Sequence, residues 1–296
     1  MLRTVRSVAD LDAAIVANIH RIPRDVDAVV GIPRSGLLAA SMVALHLQLP
    51  LADVEGFCRH QVVHRARRLI DAERILLVDD TVLTGRAMRM AVERIRSARP
   101  DATIVRMAVW SAPKTPAGAV DLALGLCPTP RAFAWNLWKH KRLTRWVFDL
   151  DGVLCRDPSS AENDDGPAYA RFIDNVEPRF LPQRPVGWIM TARLEKYRAP
   201  TEAWLQRHGV EYTALIMLDL PDKAARIEQG NRGRWKGERY AELGDAELFV
   251  ESDRRQVRKI VRHSGKPAWC TDTQTFVTPE TLETDSVSVR STGFCE

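Results

Sequence analysis

The chain is short of cysteine pairs, of long apolar runs and of any dominant charge. Its five cysteines, Cys58, Cys127, Cys155, Cys270 and Cys295, are scattered, odd in number and form no CxxC pair. That pattern gives no support to a zinc site and fits a reducing, cytoplasmic compartment. No apolar run approaches the roughly 18 residues of a membrane span, so no membrane partner is expected. The opening MLRTVRSVADLDAA lacks the apolar segment of a signal peptide. There is no internal repeat and no long low-complexity segment. The 43 basic and 38 acidic residues leave a net charge of only +5. Such a charge fits anionic substrates and nucleic acid alike and does not decide between them.

What is present is enough apolar material for real cores. With 296 residues, 45% of them apolar, the chain suggests two ordinary domains. We expect a first domain over 1–142, a second over 143–280 and a loosely ordered, Ser/Thr-rich tail over 281–296. Both domains read as α/β, each a mostly parallel sheet flanked by helices.

The first domain is organised around Ile75 to Ala87, ILLVDDTVLTGRA. An aliphatic run ends in Asp79 and Asp80, and a Thr84-Gly85 turn leads into the helical pattern RAMRMAVERIRS. The run reads as a buried parallel strand. Ligands of open α/β sheets bind beyond the carboxyl ends of strands. Two carboxylates there are costly to desolvate without partners, and sugar hydroxyls or a cation would serve. The turn offers backbone N–H groups at a helix N-terminus, a ready anion site. Vicinal hydroxyls beside a phosphate describe a ribose 5-phosphate.

This stretch resembles the phosphoribosyl-pyrophosphate (PRPP) signature of the type I phosphoribosyltransferases. The resemblance implies that Asp79 and Asp80, followed by Thr81, hold the ribose hydroxyls. It also implies that Leu83, Thr84, Gly85, Arg86 and Ala87 wrap the 5-phosphate. Ala87 departs from the family's usual Thr or Ser, which removes one hydroxyl contact. Upstream, the strand DAVVGI runs into GIPRSG and an apolar helix. By the same resemblance Arg34, Ser35 and Gly36 contact the pyrophosphate. Arg59, His60, His64, Arg65, Arg67 and Arg68 crowd one segment between core strands. It reads either as a solvated face or as the family's basic loop that closes over PRPP. Ser7 to Asp10 resembles a capping box for a helix running to about Ile22. Trp135 and Trp138, three apart, share a face. They suit stacking on a nitrogenous base, or sealing the joint between two domains.

A second acid-ended strand is WVFDLDGVL, with Asp149 and Asp151 on the same side of an extended backbone. One carboxylate can attack phosphorus while the other protonates the leaving oxygen. DLDGVL resembles the first motif of the haloacid dehalogenase-like (HAD) phosphatases. That implies Asp149 as nucleophile and Asp151 as general acid/base, with Mg²⁺ on the Asp149 carboxylate and the Asp151 carbonyl. Downstream, VGWIM ends in Thr191, whose hydroxyl would hold the phosphoryl group. Lys236 is preferred to Lys223 as the lysine that balances phosphoryl charge. Glu251 and Asp253 end the next strand as the remaining metal ligands, with Asp253 favoured for direct contact. Arg156 to Pro185, holding Glu162, Asn163, Asp164 and Asp165, reads as a small lid or a polar surface loop. Its acids either repel an anionic substrate or bind metal. Arg193 to His208 reads as an amphipathic helix.

Together these resemblances imply a bifunctional, Mg²⁺-dependent enzyme. Its first half would transfer a phosphoribosyl group from PRPP to a base-like acceptor, and its second would hydrolyse a phosphorylated small molecule, in the simplest case the 5-phosphate product. A homodimer is left open. The alternatives are a PRPP-sensing RNA-binding regulator, and two domains acting on unrelated substrates. Nucleic acid is the disfavoured partner, because no aromatic-rich RNA-binding signature accompanies the charge.

Overall fold

The structure is a computed structural model that describes residues 1–61 and 72–283. Of the basic segment, His64, Arg65, Arg67 and Arg68 fall outside the described residues, as does the tail from 284 onward. The chain forms two compact units, Arg6–Arg131 and Met1–Val5 with Ala132–Glu296. The division after Arg131, rather than after Arg142, has a packing cause. Ala132, Leu137 and Leu143 are buried in one cluster with Trp146 and Phe148 of the second unit, and Leu2 and Val5 join them.

In chain order, β1 (Thr4–Arg6) precedes α1 (Val8–Asn18), β2 (Ala28–Gly31), α2 (Ser35–Leu47), β3 (Leu51–Asp53) and α3 (Val54–Cys58). Next come β4 (Arg74–Val82), α4 (Arg86–Ala98), β5 (Thr103–Ser111) and β6 (Leu122–Leu126). The expected capping box exists: the Asp10 N–H donates to Ser7 Oγ at 3.0 Å and the Ser7 N–H to Asp10 Oδ2 at 2.7 Å. α1 itself is shorter than expected and ends in a tight turn over Ile19–Arg21.

The first unit's five strands lie in the order β3-β2-β4-β5-β6. Each neighbouring pair is parallel. The chain leaves β2 toward β3 on one side and returns to β4 on the other, so the topological switch point lies between β2 and β4. β4 differs from expectation. It does not stop before its carboxylates but carries them inside the strand, because its pairing with β5 continues to Val82 opposite Ser111. Its pairing with β2 stops at Gly31 opposite Val78. From Asp79 onward β4 is therefore unpaired on the β2 side, which opens a crevice there.

In the second unit, β7 (Arg131–Phe133), which pairs with β1, leads to β8 (Trp146–Phe148), α5 (Pro167–Asn175), β9 (Val186–Leu194) and α6 (Arg198–Arg207). β10 (Tyr212–Leu218), α7 (Lys223–Gln229), α8 (Arg232–Glu242), β11 (Leu248–Glu251) and α9 (Arg254–Ser264) follow, and β12 (Ala268–Cys270) and β13 (Thr275–Val277) close the sheet. Strand order is β10-β9-β8-β11-β12-β13. All neighbours are parallel except β12 and β13. The switch point is again central, between β8 and β11. The helix expected from Arg193 starts instead at Arg198, since β9 extends its ladder to Leu194 opposite Leu218. Trp204 and Leu205 nevertheless form the buried face of α6.

Candidate functional site

In the first unit, the β2–α2 turn and the middle of β4 meet at the crevice. Gly36 is buried in α2 because nothing larger fits. A Cβ there would lie 2.9 Å from Asp79 Oδ1 and 3.0 Å from the Val78 carbonyl oxygen. Asp79 accepts a hydrogen bond from the Asp80 N–H at 2.9 Å, and the Asp80 carboxylate bonds the Ser35 hydroxyl. Among the described residues no lysine or arginine forms an ion pair with either carboxylate. Burial, and then the Asp80 side chain beside it, pushes Asp79 up to about 8. Burial also raises Asp80, against the Asp79 and Ser35 hydrogen bonds that pull it down.

Around this pair stand two helix N-termini with no side-chain cap. α2 starts after Arg34 and α4 starts after Gly85. Gly85 takes φ +73°, the left-handed region that glycine enters without strain. Arg34, Leu83, Thr84, Arg86 and Ala87 are exposed around the opening, and Ser35 and Thr81 are half-buried. The Thr81 hydroxyl has no partner among the described residues. Uncapped N–H groups of two thirteen-residue helices favour anions, and a close carboxyl pair favours hydroxyl donors.

Trp135 and Trp138 lie in the other unit. Trp138 stacks on Phe180 at 5.0 Å and packs against that unit's core. Trp135 stacks on Phe133 at 4.9 Å.

In the second unit, three adjacent strands deliver the acids and the hydroxyl. β8 leads to Asp149, β9 carries Thr191 and β11 ends in Glu251, all at the carboxyl edge. α8 brings Lys236 beneath them. Its Nζ lies 2.7 Å from Asp149 Oδ2 and 2.6 Å from Glu251 Oε2. Exposure of Asp149, Thr191, Lys236 and Glu251 is 4%, 1%, 1% and 0%. Burial and the nearby Glu251 raise Asp149 well above the usual carboxylate range, with Lys236 opposing them. Burial alone would lower Lys236, but the two carboxylates hold it above an ordinary lysine. Two carboxylates sharing one ammonium leave excess negative charge in a dry place.

Asp151 does not share that ammonium. β8 stops at Phe148 and the chain turns at Leu150, so the alternation expected of an extended backbone does not apply. Arg193, 0% exposed, grips Asp151 instead, with Nη2 at 2.6 Å from Oδ1 and Nε at 3.1 Å from Oδ2. Both Asp149 and Asp151 still line one cavity of about 50 Å³, together with Thr191 and Lys236. Lys223 is elsewhere, with its Nζ on the Asn163 carbonyl. Asp253 caps α9, accepting from the Arg255 N–H at 2.6 Å. Glu251 holds the N–H groups of Ser252 and Asp253 through Oε1 at 2.8 and 3.2 Å. Among the described residues no group of three or more His, Cys, Asp or Glu is arranged to hold a metal ion.

Three acids of the 156–185 insert, Glu162, Asp164 and Asp165, are engaged by the protein itself. Glu162 clasps Arg156, Asp164 accepts from the N–H groups that open α5, and Asp165 bonds Lys196, Tyr197 and the Lys223 N–H. They fasten the insert so that Asp157 and Asn163 line the cavity. Four further lining residues, Tyr169, Arg226, Arg232 and Gln256, were not foreseen. They come from four separate helices, and no local spacing marks them. Arg193 had a signal, an arginine two residues past the strand-end threonine.

Among the described residues no helix is long and apolar enough to cross a membrane. Comparison with known proteins gives results for the first unit. No curated protein matches the chain. Among solved structures, the purine phosphoribosyltransferase from Pyrococcus horikoshii Ot3 is 21% identical, covering 46% of this chain and 94% of that one at a TM-score of 0.36. The orotate phosphoribosyltransferase from Aeropyrum pernix is 26% identical, covering 39% and 68% at 0.30. A chain of the Pnkp1/Rnl/Hen1 complex is 14% identical, covering 91% and 96% at 0.28. The phosphoribosyl transferase domain family matches residues 3–121, from β1 through β5.

Proposed function

We propose that the first unit transfers a phosphoribosyl group from PRPP to a base-like acceptor, and that the second hydrolyses a phosphomonoester. For the first unit the family match carries the reading. The crevice is consistent with it. Asp79 and Asp80 accept from the ribose 2- and 3-hydroxyls, which replace the absent cation. The Leu83–Ala87 turn and the α4 N-terminus take the 5-phosphate. Arg34, Ser35 and Gly36, at the α2 N-terminus, take the pyrophosphate. The acceptor nitrogen then displaces pyrophosphate at the anomeric carbon.

For the second unit, the observation that supports the reading is the buried Lys236 ammonium between Asp149 and Glu251 beneath one cavity. Asp149 attacks phosphorus and forms an aspartyl-phosphate as the leaving oxygen departs, taking a proton from Asp151. Water then opens that intermediate, and Asp151 takes its proton. The Arg193 fork fixes the orientation of the Asp151 carboxylate toward the cavity that Asp149 also lines. The excess negative charge of Asp149 and Glu251 fits a divalent cation. Mg²⁺ would be held by these two carboxylates and the Asp151 carbonyl, where it would screen the phosphoryl charge. Asp253, occupied as a helix cap, is the weaker candidate. The simplest order is transfer first, then removal of the product's 5-phosphate, in a reducing cytoplasm where the free Cys58, Cys127, Cys155 and Cys270 persist.

Asp149→Asn should abolish hydrolysis of a chromogenic phosphomonoester in Mg²⁺ while leaving calorimetric PRPP binding intact. Parental turnover in that variant would remove the nucleophile. Asp79→Asn with Asp80→Asn should weaken PRPP binding, and an unchanged isotherm would remove the ribose clamp.

A further inference from the structure

Arg226 is the one buried residue of α7, at 7% exposure. Its guanidinium reaches the second unit's cavity, which Asp149, Thr191 and Lys236 also line. Nη1 donates to the Ala192 carbonyl at 3.2 Å and Nη2 to Asn163 Oδ1 at 3.2 Å. The Tyr169 hydroxyl is a further hydrogen-bond partner. All three partners are neutral, and among the described residues no carboxylate pairs with this cation. Its Nε is buried and has no hydrogen-bond partner among the described residues.

A buried guanidinium is normally paired with an anion, and its N–H groups are normally satisfied. Here neutral acceptors hold the two terminal nitrogens and fix the plane of the group, while charge and Nε–H are left over. A planar cation with a free donor suits an anionic oxygen. We propose that Arg226 binds a non-bridging phosphoryl oxygen of the substrate, in the same cavity where Asp149 attacks phosphorus. The proposal rests on the phosphatase reading and adds a contact to it. The substrate's phosphoryl group would then share its cavity with three cations, Lys236, Arg232 and Arg226, with Asn163 and Tyr169 orienting Arg226.

The test is a calorimetric titration of inorganic phosphate into the full chain and its Arg226→Gln and Arg226→Lys variants, with melting temperatures recorded alongside. Glutamine should weaken one phosphate-binding event about tenfold or more. Lysine should weaken it about threefold, since charge is kept but the fork is lost. Isotherms of parent and glutamine variant that superimpose overturn the contact. If the glutamine variant does not fold, the lysine variant decides in the same way, and parental affinity there overturns it. Ester hydrolysis by the parent separates the two ideas. Hydrolysis with superimposed isotherms removes the contact and keeps the phosphatase, whereas lost phosphate binding without hydrolysis does the reverse.

Discussion

The two units place their acids at the same topological point and treat them in opposite ways. Each chain segment leaves a central strand to one side, returns on the other, and puts carboxylates at the gap, between β2 and β4 or between β8 and β11. In the second unit the protein supplies its own cations. Lys236 serves Asp149 and Glu251, and Arg193 serves Asp151. In the first, Asp79 and Asp80 hydrogen-bond each other, among the described residues no lysine or arginine pairs with them, and both are raised by burial. One ammonium between two buried carboxylates offsets part of the cost of their charge and leaves the rest for a further cation. An unbalanced pair suits a site that waits for donors from its ligand.

Breaking the balance in the second unit should give the largest effect. Lys236→Met leaves two buried carboxylates without their cation and should cost about 3–5 kcal/mol of stability. Chemical denaturation reads this, and an unchanged midpoint would mean the ammonium is not what holds the acids. In the first unit the effect runs through pH. Asp79 sits at about 8 in the fold, above the ordinary carboxylate value near 3.9. The fold therefore favours its protonated form. Its contribution is fully present below about pH 4 and is lost as pH rises toward 8. Melting temperature should fall by roughly 3 °C or more between pH 5 and 8, and Asp79→Asn should flatten that slope. A slope equal in both proteins would assign it to another group. The smallest change is steric. Gly36→Ala puts a methyl 3.0 Å from the Val78 carbonyl oxygen, against backbone that cannot step aside. It should cost about 1 kcal/mol and weaken PRPP binding by moving Asp79. Parental stability and affinity would show that the crevice has slack.

Much of this was legible in local pattern. Aliphatic runs ending in acids located β4, β8 and β11, and Ser7 with Asp10 located the start of α1. Asp149, Thr191 and Glu251 were named from strand-end positions, and they converge because parallel strands all point their carboxyl ends one way, whereas Lys236 was named from the helix just ahead of the next strand. What escaped was any feature set by pairing rather than by composition. β4 outruns β2 by register, β9 runs on to Leu194 because β10 is beside it, and Asp253 turns out to cap a helix. Trp135 and Trp138 allowed two readings, base stacking or a seal between domains, because flat aromatics near polar groups read alike in a sequence, whichever unit they pack in.

Strand-and-turn chemistry alone determined that this protein has two α/β units and where each keeps its acids, since hydrophobic periodicity and turn residues act over a few neighbours. Only the tertiary structure decided which cation meets which carboxylate. Lys236 and Glu251 are close in sequence, but Asp149 with Lys236, Asp151 with Arg193, and the neutral cradle of Arg226 join residues 42, 63 or 87 positions apart. Contacts across such separations depend on how helices dock against the sheet, and no local pattern encodes that.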